Sequence, residues 1–308
     1  MHTKLKFHKE FKSLKMRNMN STLLILAAGA SSRMKQQSIE LDNLSQEELQ
    51  QSNTRSKGLI SIDNSGRPLL DYLLFNAKKA GYSTIYIITG VHNSLFKSFY
   101  GAQDNNNEYN GLTIHFAIQH IPNDRTKPLG TADAVYQALE QYPNLKSTSF
   151  TVCNSDNLYS IKALELVRLF KKSPNALLGY RRKALQFSED KIARFAVMNY
   201  STEGYLEAII EKPTISSLEA FRDASGGLRV SMNIFKFEGA LFYSYLKNCP
   251  MNDLRCEKEL PTALLNMISD YPNSTMVIPI SEHVPDLTSK EDINVMKTYV
   301  KEIDLSNW

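Results

Sequence analysis

Cysteine is scarce in this 308-residue chain: Cys153, Cys249 and Cys256 make an odd count with no C-x-x-C spacing. That excludes a disulfide framework or a cysteine zinc site, and a reducing cytoplasm is the expected setting. Long apolar runs are also missing. No stretch approaches the roughly 18 consecutive apolar residues of a membrane-spanning helix, so no membrane partner is expected. Glycine and proline, 13 and 11 residues, are too few for a collagen-like or low-complexity chain. The net charge is only +4, too small an excess to make nucleic acid the expected partner. His92, His115, His120 and His283 show no metal-ligand spacing. What is present is 42% hydrophobic residues, enough for a full core and incompatible with a disordered chain.

At roughly 150 residues per domain, the length allows two domains or one large one. Residues 1–20 carry six basic side chains against one acid and no apolar core region, which reads as a basic N-terminal tail and not a secretory signal. Thr22 to Ala28 is an apolar run that stops at Gly29-Ala30-Ser31-Ser32-Arg33, as a buried parallel strand feeding a turn does. Residues 36–55 are rich in Gln, Asn, Ser and Glu and read as a polar insertion with a short exposed helix. Strands are expected at 84–89, 112–118, 149–153 and 176–180, alternating with helices at 69–80, 131–142 and 160–172. That alternation implies right-handed crossovers and a mostly parallel, Rossmann-like α/β sheet flanked by helices. After about residue 190 the pattern changes to a hairpin around Ser201–Gly204, a long strand at 228–237 and a strand at 275–280. Helices at 240–247, 257–268 and from Thr288 complete it, with mixed pairing expected on the edge of the parallel sheet. A main domain over 21–303 and a short tail at 304–308 follow.

In such a sheet ligands bind beyond the carboxyl ends of the strands. The loop Gly29–Arg33 offers backbone N–H groups and a guanidinium to phosphate oxygens, without the pattern of a P-loop or a dinucleotide fingerprint.

Leu26-Ala27-Ala28-Gly29-Ala30-Ser31-Ser32-Arg33-Met34 resembles the signature of the nucleotidyltransferase superfamily that makes nucleotide sugars, the sugar-1-phosphate nucleotidylyltransferases. Lys57-Gly58-Leu59 and Pro68-Leu69-Leu70 resemble its continuation, with the 36–55 insertion lengthening the gap between arginine and lysine. Lys35 and Lys57 are both candidates for the family's lysine, and the downstream context favours Lys57. Gln119 and Pro128-Leu129-Gly130-Thr131-Ala132 resemble the segment that contacts the nucleobase. Asn154-Ser155-Asp156-Asn157 resembles the G-D-x motif, with Ser155 in place of glycine. Glu211-Lys212-Pro213 matches the family's E-K-P. Asp286–Asp292 resembles its D-x-(G)-T-x-x-D segment, although Thr288 and Glu291 also fit a capping box. Ala196 and Asn233 stand where glycines usually meet the sugar.

The resemblance implies a nucleotide-diphospho-sugar transferase fold and the reaction of an NTP with a sugar 1-phosphate to give an NDP-sugar and pyrophosphate. It assigns Ala28, Gly29, Ala30, Ser31, Ser32, Gln119, Gly130 and Thr131 to the nucleotide. It assigns Arg33, Lys57 and Lys212 to charge stabilisation, Ala196, Glu211 and Asn233 to the sugar, and Asp156 and Asp286 to Mg²⁺. Residues from about 190 to 303 become the sugar-binding and metal-completing part. Three other readings stay open: cytidylyl transfer to phosphocholine or another alcohol phosphate, a glycosyltransferase, and a non-catalytic nucleotide-binding subunit. Base, sugar and homo-oligomerisation are left open.

Overall fold

The computed structural model describes residues 20–36, 44–193, 195–210, 213, 215–223, 225–253, 255–306 and 308. The expected N-terminal tail up to residue 19, the first part of the insertion (37–43), Arg194, Glu211 and Lys212 lie outside the described residues.

A parallel core is built from β1 (Thr22–Leu26), β2 (Thr84–Thr89), β4 (Leu112–Ile118) and β5 (Ser149–Asn154). β1 pairs with β2 on one side and β5 on the other, and β2 pairs with β4, all parallel. The order reverses at β1, so the crevice at the carboxyl ends of β1 and β5 is the topological switch point where ligands bind. β3 (Asn107–Tyr109) closes the far edge antiparallel to β4. β6 (Asn175–Arg181) and β9 (Arg229–Glu238) continue the sheet beyond β5, with β10 (Thr275–Ile280) parallel to β6 at the other edge. The expected hairpin is β7 (Val197–Tyr200) with β8 (Leu206–Ile210).

Mixed pairing is not confined to the edge, as the sequence suggested. β9 runs antiparallel between β5 and β6, in the middle of the sheet. Its partners on β5 and β6 lie 48–89 residues away in sequence, so local pattern carries no information about its place.

The alternation of side chains along β1 shows how the layers form. Leu23 and Ile25 pack to one face with α2 (Leu69–Lys79), α5 (Ile161–Leu169) and α9 (Asp292–Val300). Leu24 packs to the other with α4 (Thr131–Gln141), α7 (Gly239–Lys247) and α8 (Leu260–Asp270). β1 is thus buried on both faces, which is why it reads as one continuous apolar run.

Three local readings change. The helix of the polar insertion is α1 (Gln46–Thr54), and it is docked. Ser45 and Glu48 form a capping box, Lys297 pairs with Glu48 at 2.5 Å, and buried Gln51 accepts the Ser61 N–H at 2.9 Å. The last residues are no free tail: Leu305 is buried and the single Trp, Trp308, packs edge-on against Phe75 and Tyr109. The Thr288–Glu291 capping box does not form. α9 starts at Asp292 with no side-chain cap, because Asp292 Oδ2 accepts the Thr288 and Ser289 N–H groups and the Thr288 hydroxyl donates to Asp286. α3 (Ser94–Tyr100) completes the helices used below, together with the single turn α6 (Glu189–Ile192).

Candidate active site

Two clefts open at the carboxyl ends of β1 and β5. The smaller, 380 Å³, is lined by the Leu26–Arg33 loop, Lys57, Gln119, Gly130, Thr131 and Asp156. The larger, 890 Å³, is lined by residues including Asn157, Lys191, Ala196, Asn233 and Asp286. Arg33, Asn154 and Asp156 line both and form the wall they share.

The 27–36 loop turns at Ser31, whose φ of 55° is left-handed. Gly29 has an ordinary φ, and a Cβ placed on it would meet nothing within 4 Å. The fold therefore does not need glycine there, whereas a ligand approaching the backbone would. Arg33 is exposed and has no ion pair among the described residues. Gly130 has a different reason to be glycine: its φ is 111°, and a Cβ would lie 2.5 Å from the Lys258 carbonyl oxygen. The chain before α8 crosses it, with the Ala132 N–H donating to Lys258 O at 2.9 Å and the Leu260 N–H to the Thr131 hydroxyl at 2.9 Å. Arg125 donates to Cys256 O at 2.7 Å, so the long 119–130 loop is buttressed by the same segment.

Gln119 is buried, and its amide donates to Gly130 O at 3.0 Å and to Asp133 Oδ2 at 2.9 Å. Both partners are acceptors, which fixes the amide orientation and leaves Oε1 as the atom it can offer a base. Asp133 in turn accepts from Gln137 at 2.9 Å. Asp133 was not singled out in the sequence.

The charged centre joins segments about 130 residues apart. The Leu287 N–H donates to Asp156 O at 2.8 Å and the Leu158 N–H to Pro285 O at 3.0 Å, a two-way backbone bridge between the β5 loop and the 285–288 turn. It brings Asp156 and Asp286 together. Lys57, on a 3₁₀ turn, donates to Asp156 Oδ2 at 2.9 Å, whereas Lys35 is exposed and lines neither cleft. Lys191 Nζ lies 3.1 Å from Asp286 Oδ2. Burial and the nearby charge of Asp156 push the Asp286 carboxyl above the usual carboxylate range, while Lys191, the Thr288 hydroxyl and Lys57 pull it back. Ser155 fits where glycine is usual because Gly58 faces it, its Cβ position 3.2 Å from Ser155 Cβ.

On the opposite wall, Asn233 has a left-handed φ of 55° and projects, exposed, into the larger cleft. It sits where β9 slips register against β6 between Leu177 and Gly179. Glycine is common at such a backbone, and Asn is among the few other residues that tolerate it. Ala196 lines the cleft with an ordinary backbone, so its side chain costs the fold nothing there.

The Nucleotidyl transferase family model matches residues 51–278. The chain belongs to that family. The match takes in Lys57, Gln119, Gly130 and Asp156, and ends before Asp286. A glucose-1-phosphate adenylyltransferase of Vibrio vulnificus is 27% identical over 197 residues, 63% of this chain and 46% of that protein. The bifunctional protein GlmU of Staphylococcus epidermidis is 23% identical over 250 residues, 80% of this chain and 45% of that protein. The chain thus spans about half the length of these curated relatives. A UDP-glucose pyrophosphorylase crystallised with UDP-glucose superposes with a TM-score of 0.65 at 15% identity, over 93% of this chain and 100% of that one. The fold of this nucleotidyl transferase is therefore that of the nucleotide-sugar pyrophosphorylases, with a mixed sheet flanked by helices. Among the described residues no helix is long and apolar enough to cross a membrane.

Proposed function

We propose that this protein transfers a nucleotidyl group from an NTP to a sugar 1-phosphate, releasing pyrophosphate and giving an NDP-sugar. The observation that carries the reading is the wall shared by the two clefts. A two-substrate transfer needs donor and acceptor sites that meet at the reacting phosphorus, and Arg33 and Asp156 stand where the clefts meet. The acceptor's phosphate is already anionic at neutral pH, so the reaction needs little general-base chemistry. Alignment and charge neutralisation do the work. The Gly29–Ser32 amides and Arg33 would hold the β- and γ-phosphates, Gln119 Oε1 would accept from the base, and Lys57 would meet the α-phosphate. Lys212 and Glu211, outside the described residues, keep the sugar-phosphate and sugar roles that the family resemblance implies.

Two facing carboxylates suit Mg²⁺, which is usually held by one or two carboxylates plus substrate phosphates. Their repulsion supports this fit, since burial and then the Asp156 charge raise the Asp286 carboxyl above the usual carboxylate range. Asp156 and Asp286 would hold the ion, and bound Mg²⁺ would neutralise charge developing on the phosphoryl oxygens. We place the reaction in the cytoplasm, where NTPs are available.

The lining of the larger cleft favours a polyol acceptor over phosphocholine. Asn154, Asn157, Ser231 and Asn233 offer hydrogen bonds, and Phe195 is the one aromatic among the described lining residues. A quaternary ammonium is recognised by a cage of aromatic faces.

Pyrophosphate release with Mg²⁺ across CTP, UTP, dTTP, ATP and GTP tests the reading, each paired with a panel of sugar 1-phosphates and with phosphocholine. Release that needs both substrates and disappears in Asp156→Asn upholds it. Release with phosphocholine alone moves it to the alcohol-phosphate class. NTP binding without turnover points to a non-catalytic subunit, and transfer from an NDP-sugar points to a glycosyltransferase. For Asn233→Gly, the expected result is unchanged or higher stability, an unchanged KM for the NTP, and an acceptor KM raised about fivefold by loss of one net hydrogen bond of about 1 kcal/mol. An unchanged acceptor KM would make Asn233 a backbone residue only.

A further inference from the structure

Lys191 belongs to none of the sequence motifs, yet it lines the larger cleft from the single turn α6. Its Nζ is 3.1 Å from Asp286 Oδ2 and 2.9 Å from Asp292 Oδ1, and lies 4.5 Å from the centre of the Phe187 ring. The two carboxylates play different parts. Asp292 spends its other oxygen on the N–H groups of Thr288 and Ser289, at 2.9 and 2.8 Å, and so is a fixed anchor. Asp286 faces Asp156 and has a lysine as its counter-charge, as Asp156 has Lys57.

The quartet Asp156, Asp286, Lys57 and Lys191 is formally neutral. A divalent cation taken up by the two carboxylates adds two positive charges, which the phosphate dianion of an acceptor would balance. Lysine suits such an exchange, because its ammonium is a point charge on a flexible stem and needs no fixed fork geometry.

We infer that Lys191 is an exchangeable counter-charge: it neutralises Asp286 while no divalent cation is bound, and, once a cation takes Asp286, it stays anchored on Asp292 and turns its ammonium to the acceptor's phosphate. The inference rests on the transferase reading for the identity of that phosphate. Lys191 is therefore a competitor of the cation and a ligand of the acceptor, two roles that one substitution moves in opposite directions.

Lys191→Met keeps the stem over Phe187 and removes the charge. Two titrations of the full chain read it: Mg²⁺ alone by calorimetry, and inorganic phosphate, the group common to every acceptor, by ³¹P NMR at saturating Mg²⁺. Removing the competing ammonium is expected to tighten Mg²⁺ about three- to tenfold, and losing a charge-assisted contact to weaken phosphate about tenfold. Lys191→Arg, which restores the positive charge, is expected to return Mg²⁺ affinity towards the wild-type value. Mg²⁺ binding that is unchanged or weaker in Lys191→Met overturns the inference, as does phosphate binding that is unchanged or absent from the wild type. Should Lys191→Met fail to fold, Lys191→Gln gives the same two readings. Both shifts in Lys191→Met, with no pyrophosphate released by the wild type for any substrate pair, would overturn the transferase reading and leave the exchange standing.

Discussion

Asp286→Asn is expected to lower kcat/KM for nucleotidyl transfer by about 10²–10³-fold, the scale of losing one preorganised charge, without lowering the melting temperature at neutral pH. The two effects separate because Asp286 is poorly placed as a structural anion. Burial and Asp156 raise its folded-state pKa above the ordinary carboxylate value. A group with a raised acid pKa binds its proton more tightly when folded, so stability falls as pH rises from the unfolded value through the folded one. At neutral pH the ionised carboxylate thus costs stability that the neutral isostere does not. Asparagine can still accept from the Thr288 hydroxyl, and Lys191 keeps Asp292. Steady-state kinetics and thermal unfolding of the same preparation check both halves. A variant that loses activity and melts markedly lower would make Asp286 a structural residue.

Gly29→Ala and Gly130→Ala are expected to fail in different ways. At Gly29 the added methyl meets nothing within 4 Å and the backbone is ordinary, so stability should hold or rise by about 0.4–1 kcal/mol. NTP affinity should fall more than tenfold, a loss of over 1.4 kcal/mol, because the methyl stands where phosphate oxygens would approach the amides. At Gly130 the methyl would lie 2.5 Å from a carbonyl oxygen, on a backbone with φ of 111°. That substitution should destabilise the protein by about 2–4 kcal/mol through strain and overpacking. Nucleotide binding and unfolding measured side by side would show it. An NTP affinity untouched in Gly29→Ala would remove the 29–32 loop from the nucleotide site.

The parts legible in the sequence were those whose cause is local. β2, β4 and β10 match their expected limits because each is a β-branched or aromatic run bounded by turn residues. The 29–33 loop, Lys57, Gln119 and Asp156, which line the smaller cleft, stand out in the sequence because each sits directly after a strand or within a short motif. α3, seven residues, and β3, three residues, are too short for the sequence to show a period. The polar sequence of α1 predicts an exposed helix, yet it docks through hydrogen bonds and one ion pair. The position of β9 within the sheet and the pairing of Lys191 with carboxylates 95 and 101 residues away both arise from chain crossings. No window of sequence contains both partners.

The backbone bridge between the β5 loop and the 285–288 turn also sets an order of completion during synthesis. The ribosome delivers the chain from its N-terminus, and domains acquire structure as they emerge. The 27–36 loop, Lys57, Gln119 and Asp156 have all been made once the loop after β5 is complete. Asp286 and its anchoring turn follow only after more than a hundred further residues. The 256–260 segment that buttresses the 119–130 loop also comes late, so on the proposed reading a nascent chain would carry its nucleotide-facing residues well before either cleft could close around a substrate.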